Sequence, residues 1–356
     1  MGKVKEFMKK KDIEISLKRY GIDALGAMAQ GLFCSLLIGT IIDTVGQQFG
    51  ISFLTQPVGE KLQYTVGGLA KAMSGPAMAV AIGYALKCPP LVLFSLITAG
   101  FASNALGGAG GPLAVLFVAI IAAECGKAIS KETKIDILVT PLVTISVGVF
   151  LSWLIAPTLG RAAMWTGDLI KWATVQQPFV MGIVVSVVIG VALTLPISSA
   201  AICAALGLTG LAGGAAVAGC SAQMIGFAVI SFKENKWGGL VSQGIGTSML
   251  QMPNIIKNPR IWIAPTLASA ITGPIATCIF KMEMNGPAID SGMGTCGLCG
   301  QLGVLQGWMD SSRSITGFDV AGLILISLIL PAILSLIIHA GVKKLGWVKD
   351  GDLQLG

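Results

Sequence analysis

The chain has 356 residues, a net charge of +7 and a single histidine. Hydrophobic residues make up 54%, charged residues only 12%, and the mean hydropathy is +0.82, so the chain cannot present a charged surface all round and is not an ordinary soluble domain. The Lys and Arg residues lie at the ends of apolar runs, which speaks against nucleic acid as a partner, and no Pro-, Ser- or charge-rich linker separates off a soluble module.

The chain opens on a basic segment, residues 1–20, with Lys3, Lys5, Lys9, Lys10, Lys11, Lys18 and Arg19. That composition is expected of the cytoplasmic flank of a first span. The apolar run that follows, 21–43, is too long for a signal-peptide core and lacks a clean cleavage site, so it is predicted to remain as the first helix. A spanning helix needs about 20 mostly apolar residues. On that measure further spans are predicted at 64–86, 91–107, 112–127, 135–157, 180–195, 197–211, 212–232, 261–280 and 320–342. The fold class is therefore an all-α polytopic membrane protein of about ten transmembrane helices, several short, broken or re-entrant.

Between 160 and 176, Arg161, Asp168 and Lys171 lie on one side of a helix. Ala162, Leu169, Ile170 and Ala173 lie on the other, with Trp165 and Trp172 at the margin. This suits a connector lying in the membrane interface. With the N-terminus inside, Lys87, the Lys127–Lys134 loop, Lys233, Lys236, Lys257, Arg260, Lys343 and Lys344 all fall inside. Both termini are therefore predicted to be cytoplasmic, and 346–356 to be a cytoplasmic tail.

Two stretches resemble each other. Ile82-Gly83-Tyr84-Ala85-Leu86-Lys87-Cys88-Pro89 recurs as Ile189-Gly190-Val191-Ala192-Leu193-Thr194-Leu195-Pro196. At the same spacing Gly100, Ala105 and Gly107 fall on Gly207, Ala212 and Gly214. Ile22-Asp23-Ala24-Leu25 answers to Ile135-Asp136-Ile137-Leu138, and Thr44-Val45-Gly46 to Thr158-Leu159-Gly160. Within a single transmembrane domain, 21–345, units of about 21–127 and 134–233 are expected to be repeats, followed by 237–345. Internal repeats interrupted by Gly and Pro are a pattern of transporters. Four spans per unit make the repeats parallel; one re-entrant span per unit makes them inverted, and the sequence leaves both open.

Non-helical backbone is tolerated at membrane depth only where protein or a water-filled cavity surrounds it. Three segments combine helix breakers with amides or hydroxyls and almost no charge: 101–112, 237–254 and 285–301. Their amides both donate and accept, as a neutral sugar does. The candidate substrate-binding residues are Asn104, Gln243, Gln251, Asn254, Asn285, Asp290, Thr295 and Gln301. Glu124, one turn before Lys127, reads as an i,i+3 ion pair and, with Asp290, as a possible proton or charge site. Asp23 and Asp136 read as helix caps. Cys34, Cys125, Cys203, Cys220 and Cys278 read as small buried hydrophobes. Cys296 and Cys299 form a CxxC without a second pair or a nearby His, so no metal and no other cofactor is expected. His339 sits near the end of the last span, and no catalytic residue is identified.

The run Gly246-Thr-Ser-Met-Leu-Gln-Met-Pro-Asn-Ile-Ile-Lys-Asn-Pro-Arg-Ile-Trp-Ile263 is the most distinctive in the chain. With Gly292-Met-Gly-Thr-Cys-Gly-Leu-Cys-Gly-Gln301 and Lys18-Arg-Tyr-Gly-Ile-Asp-Ala-Leu25, it resembles the second group of phosphotransferase-system EIIC permeases, the branch including perfringolysin O regulator-like proteins. The resemblance covers nearly the whole chain. It implies a homodimeric sugar permease of the bacterial cytoplasmic membrane, embedded in the lipid bilayer, that presents a sugar to a IIB partner carrying phosphate on Cys or His. If active in that way, the chain is the membrane subunit of a sugar phosphotransferase. The well-described sugar permeases place a His and a Glu at the substrate; here His339 lies outside all three broken segments, so those roles are not carried over. Two other readings stay open: a membrane sensor that regulates gene expression without transport, and an uncoupled secondary transporter using Asp290 or Glu124 as its proton site.

Overall fold

The computed structural model describes residues 2–59, 62–310 and 314–355. Among them the chain is all-helical, and the only β-pairing is an isolated antiparallel bridge between Gly210 and Met284. Two compact units divide at residue 162: Met1–Ala162 and Ala163–Gly356. Among the described residues six helical stretches, with Pro90–Ile129 taken as one, are long and apolar enough to cross a membrane, or seven with one bent pair, so the count of about ten is not confirmed. The large apolar side chains they expose, Phe94, Phe150 and Trp153 among them, suit lipid rather than water. The protein is a multi-pass membrane protein.

In the first unit a short basic helix α1 (Gly2–Lys10) precedes α2 (Lys18–Gln48), which is continuous through two π-helical stretches. Asp23 falls inside α2 and makes no side-chain cap, contrary to its predicted role, because the helix begins five residues earlier. The span predicted at 64–86 is two helices, α3 (Val66–Ala72) and α4 (Ser74–Ala85), bent by 51°. Thr65 caps α3 by accepting from the Gly68 amide.

Helices α5 (Pro90–Gly107) and α6 (Gly111–Ile129) form a hairpin, turned by a 3-10 segment in which Gly108 takes φ +51. The two spans predicted at 91–107 and 112–127 are thus two helices. The first predicted break shrinks to this turn, because α5 runs unbroken through Phe101, Ser103 and Asn104. Gly75 of α4 and Gly100 of α5 abut so closely that a Cβ on either would collide with the other's carbonyl oxygen. Small residues permit such backbone approach where lipid gives no hydrophobic drive.

Helix α7 (Asp136–Thr174) carries the chain from the first unit into the second. It is one helix of 39 residues, not a span plus a separate interfacial connector. Pro157 lacks an amide hydrogen, which removes one helical bond but does not end the helix. The expected amphipathic split holds in part: Ile170 and Ala173 are buried and Arg161, Asp168, Lys171, Trp165 and Trp172 are exposed, but Leu169, placed on the apolar side, is exposed and Ala162 is half-buried.

The second unit is built around α10 (Gly210–Ile230), whose apolar window is 89% buried. Around it pack α8 (Pro178–Thr194), α13 (Pro259–Ile279) and α15 (Gly317–Lys344). Gly219 of α10 meets the Ser186 carbonyl of α8 where any Cβ would clash. Short α9 (Ser199–Leu206) ends on Gly207 in the left-handed conformation, so the span predicted at 197–211 is a helix of 8 residues. After α10 come α11 (Phe232–Val241), a π turn Ser242–Gly246, a 3-10 turn Ser248–Gln251 and α12 (Met252–Lys257). A one-turn helix, Ala288–Ser291, and a 3-10 turn, Cys296–Leu298, lead into α14 (Cys299–Asp310). A capping box between Thr316 and Asp319 starts α15. Cys203 and Cys220 are buried as expected, but Cys34 and Cys278 are exposed on helix surfaces.

Candidate functional site

The second broken segment folds its polar side chains inward because its backbone leaves the helical ladder there. Gln243, Gln251 and Asn254 are all buried and join in one relay. The Gln243 amide donates to Ser231 Oγ (2.8 Å) and the Gly239 carbonyl (2.9 Å). Gln251 Nε2 donates to Gln243 Oε1 at 2.9 Å, and Asn254 Nδ2 to Gln251 Oε1 at 2.9 Å. The second hydrogen on each of these two amides goes to the C-terminal segment: Gln251 to the Leu353 carbonyl (2.9 Å) and Asn254 to the Gln354 carbonyl (2.8 Å). Each such donor, left buried without a partner, would cost about 1–3 kcal/mol.

The third broken segment touches the second. Thr295, fully buried, donates to the Gly244 carbonyl at 2.5 Å. Gln301 Nε2 donates to Ser221 Oγ of α10 at 3.1 Å, while Gln301 Oε1 is buried with no hydrogen-bond partner. Neither 242–254 nor 291–301 contains an ionisable acid or base other than the two cysteines.

A neighbouring network was missed in the sequence. Gln223, fully buried on α10, accepts from Trp262 Nε1 (2.8 Å) and Thr194 Oγ1 (3.3 Å) and donates to Thr266 (3.2 Å) and Ser269 (3.4 Å). Thr194 in turn shares a hydrogen bond with Ser248 of the broken segment at 2.8 Å. Ser221 and Gln223 are the only polar side chains of α10, and polar residues inside an apolar span were the available signal.

The other predicted residues lie apart from this chain of bonds. Asn285 is exposed; its Oδ1 accepts from the Gly210 amide (3.1 Å) and its Nδ2 donates to Glu283 (3.2 Å). Close by, a pocket of about 580 Å³ is lined by Gln176, Thr209, Ala212 and Glu283 at the N-terminal end of α10. The relay begins at Ser231, just past the C-terminal end of that helix; 21 residues at 1.5 Å each separate these ends by about 30 Å. Asp290 is half-buried beside Gly303. Asn104 belongs to the first unit, where it donates to Ser74 at 3.3 Å.

Glu124 also belongs to the first unit, in a cluster of charges. It forms the expected i,i+3 pair with Lys127 (3.1 Å) and accepts from Tyr20 (3.0 Å). The Lys127 ammonium, almost wholly buried, also donates to the Asp12 and Leu86 carbonyls at 2.6 and 3.1 Å. Arg19 grips Asp12 through both nitrogens and donates to the Leu86 carbonyl. The hydrogen bond from Arg19 to Asp12 and the guanidinium charge hold the Asp12 carboxyl below the usual range. Burial pushes the nearby Cys88 thiol up to about 12. Asp136 accepts from the Lys131 amide and the Thr140 hydroxyl, as a residue at a helix start does. Cys296 and Cys299 are buried, and His339 is half-buried on α15.

The family described as Phosphotransferase system, EIIC matches residues 22–355. No curated protein and no solved structure matches the chain.

Proposed function

The chain belongs to the phosphotransferase-system EIIC family and is a sugar-transport membrane permease, and from that premise we propose that its second unit binds a neutral, sugar-like solute at the junction of the two broken segments and passes it across the membrane. One observation carries this reading: Gln301 Oε1 is a buried acceptor without a partner, beside Ser221 and within a stretch that has only amides and hydroxyls. A sugar hydroxyl donates to such an oxygen. The lack of Lys or Arg there disfavours an anionic solute. Thr295, Ser221 and Gln301 are the proposed contacts, with Gln243, Gln251 and Asn254 forming a second polar station at the far end of α10.

Coupling follows the family's chemistry. A separate IIB protein carries the phosphoryl group on Cys or His, and the permease supplies the sugar hydroxyl that receives it. We place the protein in the bacterial cytoplasmic membrane as a homodimer with both termini cytoplasmic, on the strength of the Lys and Arg distribution and the family's organisation. The internal repeat belongs to the same proposal. In each copy a helix (α4, α8) leads through Pro89 or Pro196 into a second helix (α5, α9), and a third, mostly buried helix follows.

The test is uptake of labelled neutral hexoses and hexitols into vesicles containing the protein, with and without a phosphorylated IIB partner. Accumulation of a sugar, phosphorylated when the partner is present, supports the reading. Absence of both binding and uptake across the panel ends it. A deletion that alters transcription while leaving uptake unchanged points to the sensor instead, and uptake driven by a pH gradient without a phosphoryl donor points to the uncoupled transporter.

A further inference from the structure

Residues 346–355 do not trail from the last helix; they lie across the amide relay of the second unit as a strap. The Gly351 and Leu353 amides donate to the two oxygens of Glu234 at 2.8 and 2.9 Å. The Leu355 amide donates to Asn235 Oδ1 at 2.8 Å. In the other direction, the Leu353 carbonyl accepts from Asn235 (2.8 Å) and Gln251 (2.9 Å), and the Gln354 carbonyl accepts from Asn254 (2.8 Å). Asp352 accepts from Asn258 at 2.8 Å. Only Val348 and Leu353 anchor the strap by apolar burial. A cavity of about 280 Å³ is lined by Asn254, Lys257 and Asn258 on one side and by Gly351, Asp352 and Gln354 of the strap on the other.

We propose that this strap is a built-in ligand mimic: its carbonyl oxygens occupy the positions on Gln251 and Asn254 that the oxygens of a polyhydroxylated solute take, so that strap and solute compete for the relay. The inference rests on the sugar reading of the second unit. The chemistry of the contacts supports it. Gln251 and Asn254 each offer the strap one N–H, and a sugar oxygen satisfies that donor as well as a peptide carbonyl does. The strap is held by exchangeable hydrogen bonds, by the ion pairs of Asp350 with Lys343 and Lys233 and by two buried side chains, and it is joined to the chain on one side by Gly346 at φ +70 and bent by Gly351 at φ +96. Those glycines allow the segment to fold back onto α11 and α12. When it lifts, Gln251 and Asn254 need new acceptors, and the cavity beside them has room for a ligand that supplies both.

Two variants of the full-length protein loosen the strap without touching the relay. Glu234→Gln removes the charge and one of the two acceptor oxygens that hold Gly351 and Leu353. Gly351→Ala forces a side chain onto a backbone conformation that L residues rarely adopt, where a Cβ meets no neighbouring atom and so acts through strain alone. Hydrogen exchange at the Gly351, Leu353 and Leu355 amides reads strap opening without any sugar. Equilibrium binding of labelled D-glucose, D-fructose, D-mannitol and D-galactitol reads competition. Because apparent affinity scales with the fraction of protein in the open form, both variants should speed exchange and tighten sugar binding by the same factor, about tenfold. Saturating sugar should speed exchange at the same three amides in the unaltered protein. Slower exchange with sugar, or weaker sugar binding in the variants, overturns the mimic and makes the strap a lid that closes over solute. Unchanged exchange in both variants also overturns it, since the strap would not be held as described. If exchange responds to the variants but no sugar binds any of the three proteins, the sugar reading fails and the mimic with it, while a detachable strap remains.

Discussion

Both ends of the described chain are tied down, but by opposite chemistry. In the first unit the N-terminal segment is fixed by charges: Asp12 on Arg19, the Asp12 carbonyl on Lys127, and Lys10 and Lys11 on Glu132. In the second unit the C-terminal segment is fixed mainly by neutral amides on backbone carbonyls, with Glu234, Asp350 and Asp352 as acidic contributors. A buried charge network is specific and unforgiving, because removing one partner strands another in low dielectric. An amide network exchanges one oxygen for another at little cost. The first unit's charges suit architecture, whereas amides such as those of the second unit can exchange a carbonyl for a solute oxygen.

The largest effect should come from breaking the charged cluster. Lys127→Met leaves Glu124 without its cation, the Asp12 carbonyl without its donor, and the Leu86 carbonyl with Arg19 alone. A loss of about 3 kcal/mol or more is expected, seen as a lower unfolding temperature in detergent, with sugar binding by the protein that remains folded unchanged. A normal unfolding temperature would show that the cluster is incidental.

Next is the centre of the relay. Gln251→Leu deprives Gln243, Asn254 and the Leu353 carbonyl of one partner each. A loss of about 1–3 kcal/mol is expected, with faster hydrogen exchange confined to 231–258 and the strap. Exchange that rises equally in the first unit would contradict the division into separate anchors.

Acid should separate the two anchors without mutation. The hydrogen bond from Arg19 lowers Asp12, those from Lys11 lower Glu132, and that from Lys343 lowers Asp350. For a carboxyl lowered in the folded state, the stabilisation is complete above its unfolded value, about pH 4, and is lost as pH falls through the folded value. Limited proteolysis should therefore find the N-terminal segment and the Lys343–Asp350 corner unchanged from neutral pH to about 5 and released below about 4. The Gln251 and Asn254 contacts do not titrate. Release near pH 6 would mean that other groups govern these segments.

Salt should have the smallest effect. At about 1 M the screening length falls to about 3 Å, so the exposed Lys10–Glu132 and Lys233–Asp350 pairs, which solvent already weakens, should loosen. The buried Lys127–Glu124 pair and the amide relay should not.

What was legible in the sequence was local. The spans at 180–195, 212–232, 261–280 and 320–342 fall on α8, α10, α13 and α15 because apolar length alone determines them. The Glu124–Lys127 pair was also readable, from its i,i+3 spacing. What was not legible was long-range. The strap's bonds to Glu234, Asn235, Gln251 and Asn254 join residues about 100 or more positions apart, and a sequence such as Asp350-Gly-Asp-Leu-Gln-Leu355 carries no periodicity that would announce them. The continuity of α7 through Pro157 was hidden for a different reason: proline is a stop signal in water, and a membrane helix tolerates it.

Binding of the labelled hexose and hexitol panel to the Gln301→Leu protein, set beside the unaltered protein and a Leu328→Ala control on an exposed face of α15, addresses the central claim most directly. At least one sugar should bind the unaltered protein and the control alike. Its affinity should fall tenfold or more in Gln301→Leu, which corresponds to about 1.4 kcal/mol for one lost hydrogen bond to a buried acceptor. Equal affinity for that sugar in Gln301→Leu would place the solute elsewhere and contradict the account.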